Sequence, residues 1–226
     1  PCKTFFITLM ALGILIPGFL KGIAWILLLS PKVGLLNQFL RSFVPVEEGP
    51  LSIYNLGGIS FVQGLMLTPV MFFMCAAAFR AVDPQLEESA AVSGAPPAAV
   101  FYRITGPLIL PAIAGAAIYN FMTAVALFEI PALLGTTTRI QVLSTLMFYS
   151  VQASVGLPRY GIAGVYGVML LFPSMVAVHY YQKLLRHGDR YSVISGKGYR
   201  PKLTDLGRWK YAGIAFLCSY LFLNLL

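Results

Sequence analysis

Charged residues are scarce in this chain, where they make up only 11% of 226 residues. Soluble domains carry about 25%, and here the few charges fall between long uncharged runs. This distribution argues against one large soluble core as the source of the 58% hydrophobic composition. It is typical of a chain that crosses a membrane several times.

Cysteine and histidine are also rare, and their spacing excludes the common metal and redox sites. The cysteines are Cys2, Cys75 and Cys218, with no Cys-x-x-Cys pair, so neither a zinc site nor a disulfide framework is predicted. Gly196-Lys197 lacks the remaining residues of a phosphate-binding loop. We therefore expect no metal, no catalytic site and no cofactor bound by this chain.

Acidic residues are half as frequent as basic ones, which leaves a net charge of +8. Eight of the 16 basic residues lie within 183–210, beside an apolar run. That placement indicates a loop retained on the cytoplasmic side of a membrane, where it would also meet lipid headgroups. No nucleic-acid-binding motif accompanies the charge, so nucleic acid is not expected as a partner.

Long apolar runs dominate the remainder of the chain. They occupy residues 4–30, 57–79, 104–128 and 160–182, and another begins at 211. About 20 apolar residues cross a bilayer core as a helix, and a helix satisfies its own backbone groups there. The sequence predicts an all-α membrane protein, a polytopic transmembrane helix bundle with at least four spans, kinked at prolines such as Pro17 and Pro69.

The basic loop also predicts an orientation. If 183–210 is cytoplasmic, alternating spans place loop 80–103 inside and loops 31–56 and 136–159 outside. Within the last of these, residues 140–158 predict an amphipathic helix that lies on the outer surface or dips into the membrane. The chain starts at Pro1 and stops inside an apolar run, so we expect both ends to be cuts in a longer protein.

Three polar side chains, Glu129, Lys21 and Asn120, are candidates for a pathway or gate, because polar groups at membrane depth are costly. Glu129 could line an outer gate, or lie at the external interface paired with Arg139 or water. Lys21 could face a pathway, snorkel to the interface or pair two helices. Asn120 could contact solute or bond a neighbouring helix. Glu129 and Lys21 would serve an ion-coupled secondary transporter, and Glu129 with His179 would serve an intramembrane enzyme.

The stretch from Asp83 to Pro111 carries the most local information. Asp83 can cap a helix over 85–93 that starts with Pro84, and Gly94 can end it in a left-handed conformation. A second short helix is expected from Pro96-Pro97 to about residue 103, before a span starts at Gly106-Pro107. Two short helices joined by a glycine form either a docking surface or an ordinary interfacial loop.

This stretch resembles the E-A-A-x(3)-G-x(9)-I-x-L-P signature of permease subunits of binding-protein-dependent ABC importers. The matching positions are Glu88, Ser89, Ala90, Gly94, Ile104 and Pro107. Ser89 replaces an alanine of the signature, and Gly106 replaces its leucine. Residues 17–37, the Phe128 to Gly135 stretch and the basic loop 195–209 are similar to fused permeases of the ferric-iron type.

The resemblance implies the fold and the partners of a type-1 ABC importer permease. Residues 1–182 would be most of the first permease half, 183–210 a basic cytoplasmic linker and 211–226 the start of the second half. Within the first half, 83–105 would be the segment that couples to the ATPase, with Glu87 and Ala95 beside the signature residues.

The expected partners are a cytoplasmic ABC ATPase dimer that uses the ATP, an external solute-binding protein, the second permease half and lipid. The expected location is the bacterial inner membrane, and the chain itself would not be an enzyme. The implied cargo is ferric iron, with polyamine, thiamine and phosphonate as alternatives.

Overall fold

The computed structural model describes residues 2–43, 49–152, 157–188, 207 and 209–225, and its regular elements within those ranges are helices. The first apolar run forms α1 (Cys2–Leu15) and α2 (Gly18–Leu29), and α3 (Leu35–Arg41) follows it. The remaining helices are α4 (Leu56–Arg80), α5 (Pro84–Val92), α6 (Pro97–Val100), α7 (Gly106–Ala126), α8 (Glu129–Gly135), α9 (Leu143–Val151), α10 (Tyr160–Gly188) and α11 (Trp209–Leu225).

Three described helices are long and apolar enough to cross a membrane, and a fourth span is possible if α1 and α2 act together. The three are Leu56–Arg80 with 25 residues, Pro97–Ala126 with 30 and Tyr160–Lys183 with 24. At 1.5 Å per residue, each exceeds a hydrocarbon core of about 30 Å. The all-α membrane fold predicted from the runs is confirmed.

The first apolar run is broken more sharply than the kink that the sequence predicts. The axes of α1 and α2 meet at 95°, because Pro17 leaves the helical conformation with φ −56° and ψ 139°. Proline also lacks the N–H that would continue the hydrogen-bond ladder. With 14 and 12 residues, neither helix alone is long enough to cross the core.

Contrary to the sequence prediction, the short helix before the third span is continuous with that span. A π-helical turn at Phe101–Thr105 joins α6 to α7 without a break. The N–H of Gly106 donates to the carbonyl of Phe101, five residues back. Pro107 has no N–H to give to the carbonyl of Arg103, so the regular ladder cannot pass through this point.

The segment predicted as an amphipathic helix over 140–158 contains the shorter helix α9 at Leu143–Val151. The backbone N–H of Val142 donates to the Thr145 hydroxyl at 2.9 Å, which caps its start. Residues 153–156 lie outside the described part of the chain. Most of the predicted linker over 183–210 also lies outside it. Helix α10 continues to Gly188, and the described residues begin again at 207.

The helices divide between two compact units. The first holds α1 to α3, α4 up to Pro69, the end of α7, α8, α9, the start of α10 and α11. Its core is closely packed, with Val62, Ile130 and Leu134 fully buried and Trp25 edge-on to Phe61 at 5.0 Å between ring centroids. The second unit holds the end of α4, α5, α6, most of α7 and the end of α10.

Candidate coupling segment and polar residues of the spans

The 83–105 segment begins with the helix start that its sequence predicts. The Asp83 carboxylate accepts a hydrogen bond from the backbone N–H of Gln85 at 2.9 Å, and Pro84 is the first helical residue. A capping carboxylate satisfies one of the N–H groups that a helix leaves open at its start. Helix α5 therefore has a fixed beginning at Pro84.

Gly94 ends α5 in the left-handed conformation, with φ +81°. The N–H of Ala95 donates to the carbonyl of Ala90 and the N–H of Gly94 to that of Ala91, both at 3.0 Å. These two bonds form a Schellman motif. A Cβ on Gly94 would meet no atom within 4 Å, so the backbone conformation, and not the available space, requires glycine here.

A side-chain hydrogen bond ties α5 to the base of the third span. The Thr105 hydroxyl donates to Oε1 of Glu87 at 2.6 Å. Thr105 is the last residue of the π-helical turn and is only 6% exposed. The sequence singled out Glu87 but not Thr105, because the two residues lie 18 positions apart and their meeting depends on the π-helical turn.

The signature residues and the neighbouring Ala95 lie in this segment or, for Pro107, in the first turn of α7, with different exposures. Glu88, Ser89 and Gly94 are exposed, whereas Ala90, Ala95, Ile104 and Pro107 are half-buried. Two larger apolar side chains of the segment face solvent, since Val92 is 90% exposed and Tyr102 is 75% exposed. The segment therefore offers a mixed acidic and apolar surface on a stiff frame.

Glu129 starts the short helix α8, which packs against α2. Its Oε2 lies so near to Gly18 that a Cβ on that glycine would be 2.5 Å from it. Glu129 itself is exposed, and no ion pair with Arg139 joins these two described residues. Arg139 instead has φ +58° in the turn after α8. A role of Glu129 at a gate stays a prediction.

Lys21 is buried and bonds across the break between α1 and α2. It is 5% exposed, and its ammonium donates to the carbonyl of Gly13 at 2.6 Å. That carbonyl is among the last four of α1, which have no partner within the helix. The N–H four residues further on would belong to Pro17, which has none. Of the three alternatives for Lys21, this contact corresponds to the pairing of two helices. A role in a pathway stays a prediction.

Asn120 joins α7 to α4. Its amide donates to the carbonyl of Ala116 at 2.9 Å and approaches the sulfur of Met71 at 3.5 Å. Its Oδ1 is buried and has no hydrogen-bond partner among the described residues. The geometry is that of a side chain packed between helices, and contact with solute stays a prediction.

Sequence reasoning missed a polar contact around Pro69 in α4. Because Pro69 has no N–H, the carbonyl of Leu65 loses its helical partner. The Tyr220 hydroxyl donates to this carbonyl at 2.9 Å, and the Asn224 amide donates to it at 3.2 Å. Pro69 predicts that this carbonyl lacks its helical donor. It does not predict which residues replace that donor, because they lie 155 and 159 positions away.

A small cavity of about 200 Å³ opens between α8 and α9, lined in part by Arg139, Gln141, Thr145 and Tyr149. It is below the range of about 300–1,000 Å³ that is usual for small-molecule sites. Within the described residues, no group of three His, Cys, Asp or Glu side chains could hold a metal ion.

Comparison with known proteins gives a family match over most of the chain. The model of the family described as "Binding-protein-dependent transport system inner membrane component" matches residues 3–187. The ferric transport system permease protein FbpB of Actinobacillus pleuropneumoniae is 28% identical over 214 residues, which are 94% of this chain and 30% of that protein.

Two further relatives are a second ferric transport permease and a 2-aminoethylphosphonate transport permease. The putative ferric transport system permease protein FbpB 1 of Haemophilus influenzae is 28% identical over 215 residues, 95% of this chain and 33% of that protein. The putative 2-aminoethylphosphonate transport system permease protein PhnU of Salmonella typhimurium is 31% identical over 101 residues, 44% of this chain and 35% of that protein. The present chain spans about a third of the length of each of these relatives.

Proposed function

Since the chain belongs to the family of binding-protein-dependent transport system inner membrane components, we propose that it forms part of the solute pathway of an ATP-driven importer. Members of this family are non-catalytic, multi-pass inner-membrane subunits that bind no cofactor, and a partner hydrolyses the ATP. Membership removes the intramembrane enzyme with Glu129 and His179. It also leaves an ion-coupled secondary transporter without support.

The 83–105 segment is the part of this chain that we propose to contact a cytoplasmic ATPase dimer. The observation that carries the proposal is the stiff frame of α5, fixed by Asp83 at its start and by the left-handed Gly94 at its end. On that frame, exposed Glu88, Ser89 and Val92 offer a partner both charge and apolar area. Movement of such a segment can favour one transporter state only if ATP binding stabilises that state more than the other.

The arrangement of the loops follows from the same proposal. Residues 80–103 and 183–210 lie in the cytoplasm, and residues 31–56 and 136–159 lie outside, where a solute-binding protein delivers the cargo. The charge distribution supports this orientation, because half of all basic residues fall within 183–210. The helix α11 is the start of a second permease half, as the resemblance to fused permeases implies.

Ferric iron is the cargo that we propose. Support comes from the names of two relatives, both ferric transport system permease proteins, which align over almost the whole of this chain. A 2-aminoethylphosphonate permease aligns over a shorter part and gives a second candidate. Uptake of radioactive ferric iron by cells with the full transporter, in competition with 2-aminoethylphosphonate, separates the two. Uptake of the phosphonate without iron uptake overturns the first choice.

Two substitutions at one position test the coupling segment. A left-handed conformation costs an ordinary residue about 1–2 kcal/mol, or about a 5- to 30-fold change in a local equilibrium. Asparagine tolerates this conformation, whereas β-branched valine does not. We therefore expect Gly94→Val to reduce copurification with the ATPase and uptake, and Gly94→Asn to retain most of both. Unchanged copurification and uptake in Gly94→Val would count against docking through this segment.

A further inference from the structure

The hydrogen bond between Thr105 and Glu87 has the properties of a specific link and not of an incidental surface contact. Its oxygen–oxygen distance of 2.6 Å is in the range of charge-assisted bonds between a hydroxyl and a carboxylate. Thr105 is 6% exposed, in a segment whose other residues are mostly exposed. Water therefore has little access to the hydroxyl that makes the bond.

The link adds to the packing of α5 against α6 and the π-helical turn, because it joins α5 by a directed hydrogen bond to the last residue before α7. The chain leaves α5 through Ser93, Gly94 and Ala95, where the left-handed Gly94 sets the turn. Thr105 lies at the other end of that path, directly before α7. A bond from α5 to Thr105 closes the loop into a ring, so that displacement of α5 acts directly on the start of the span.

The π-helical turn is what places Thr105 there. Its hydrogen bond from Gly106 to Phe101 spans five residues instead of four, and one additional residue in a turn rotates the helix face by about 100°. Such turns inside helices frequently mark functional positions. The turn and the buried threonine thus occur together at the junction between the 83–105 segment and the membrane.

We propose that Glu87 and Thr105 form a strut that transmits movement of α5 to α7 during the transport cycle. Both are positioning residues: they act through the two helices that they join. This inference rests on the proposed docking of the 83–105 segment, and it assigns a task to Glu87 that differs from that of Glu88, the signature carboxylate on the exposed surface.

The test uses the full-length permease, reconstituted in liposomes with its ATPase and its binding protein. Thr105→Val keeps the shape of the side chain and removes the hydroxyl, and Thr105→Ser restores the hydroxyl. For Thr105→Val we expect normal copurification with the ATPase and about a tenfold loss of hydrolysis stimulated by the binding protein, equivalent to about 1.4 kcal/mol. Thr105→Ser should recover most of this stimulation.

Two comparisons make the result specific to the strut. Glu87→Met removes the acceptor and should lower the stimulation as well, and the double variant with Thr105→Val should lose little more, because either substitution abolishes the same bond. Thr68→Val, outside the 83–105 segment, removes a hydroxyl that donates within α4 to the carbonyl of Gly64 at 2.7 Å, and it should leave the stimulation as it is in the parent protein.

The outcomes separate this inference from the proposed function. Normal stimulation in Thr105→Val overturns the strut, and so does full additivity of the two substitutions. Loss of copurification in Thr105→Val also overturns it, because the bond would then shape the docking surface. If Gly94→Val abolishes copurification while Thr105→Val leaves transport unchanged, docking stands and the strut does not.

Discussion

The contact between Tyr220 and Leu65 predicts how two distant substitutions depend on each other. Tyr220→Phe removes the hydroxyl that donates to the Leu65 carbonyl at 2.9 Å, and leaves only the Asn224 amide at 3.2 Å. Both donors are 6% exposed, so water does not replace the lost group. A neutral hydrogen bond of this kind contributes about 1 kcal/mol, which lowers the unfolding midpoint by at most about 2–4 °C, the shift for domains of 150–250 residues.

The effect of Tyr220→Phe should depend on Pro69, because the carbonyl of Leu65 lacks a donor within α4 only when position 69 is proline. Pro69→Ala supplies the missing N–H, which can bond to the carbonyl of Leu65 within α4. In that background, Tyr220→Phe should therefore lower the midpoint by much less. Loss of the hydrogen bond from Asn224 to the Tyr220 hydroxyl occurs in both backgrounds and cancels in the double-mutant cycle.

The assay is thermal unfolding of the purified full-length protein in detergent, for the parent, both single variants and the double variant. Tyr160→Phe is the matched control, because its ring is 67% exposed, and it should leave the midpoint within about 1 °C since exposed substitutions have small effects. If Tyr220→Phe lowers the midpoint equally with proline and with alanine at position 69, the reasoning from the proline is refuted.

Two predictions concern the contact between α2 and α8. Gly18→Leu should destabilise the protein by about 1–3 kcal/mol, measured by thermal unfolding, because its side chain would displace Glu129 and Met66; Gly18→Ala should cost less, since both neighbours can shift their flexible ends. Glu129→Gln should lower uptake in cells while leaving the unfolding midpoint unchanged, and normal uptake would remove Glu129 from the pathway.

Local chemistry in the sequence was sufficient to predict α5 and its ends. Asp83, Pro84 and Gly94 act within a few residues of themselves, so helix capping and turn geometry locate them correctly. The family match confirms the resemblance to permease subunits of binding-protein-dependent importers. The apolar runs likewise predicted the long helices, because length and composition decide what can cross a bilayer.

The parts that the sequence could not predict depend on contacts between distant residues or on the exact path of the backbone. Pro17 indicated an interruption, but the angle of 95° also reflects packing, including the bond from Lys21 to Gly13. Gly106-Pro107 indicated the start of the third span but not the π-helical turn before it, so the partner of Glu87 was missed. The donors to Leu65 come from α11, at the other end of the chain.

The side of the membrane on which residues 84–103 lie tests the central claim most directly. Val92 and Leu157 are each 90% exposed, and the proposed orientation places them on opposite sides. Each is replaced by cysteine in a full-length protein free of its native cysteines and expressed without the ATPase. A membrane-impermeant maleimide should label Val92→Cys only in inside-out vesicles and Leu157→Cys only in right-side-out vesicles. Labelling of Val92→Cys from the outer face would contradict coupling to a cytoplasmic ATPase.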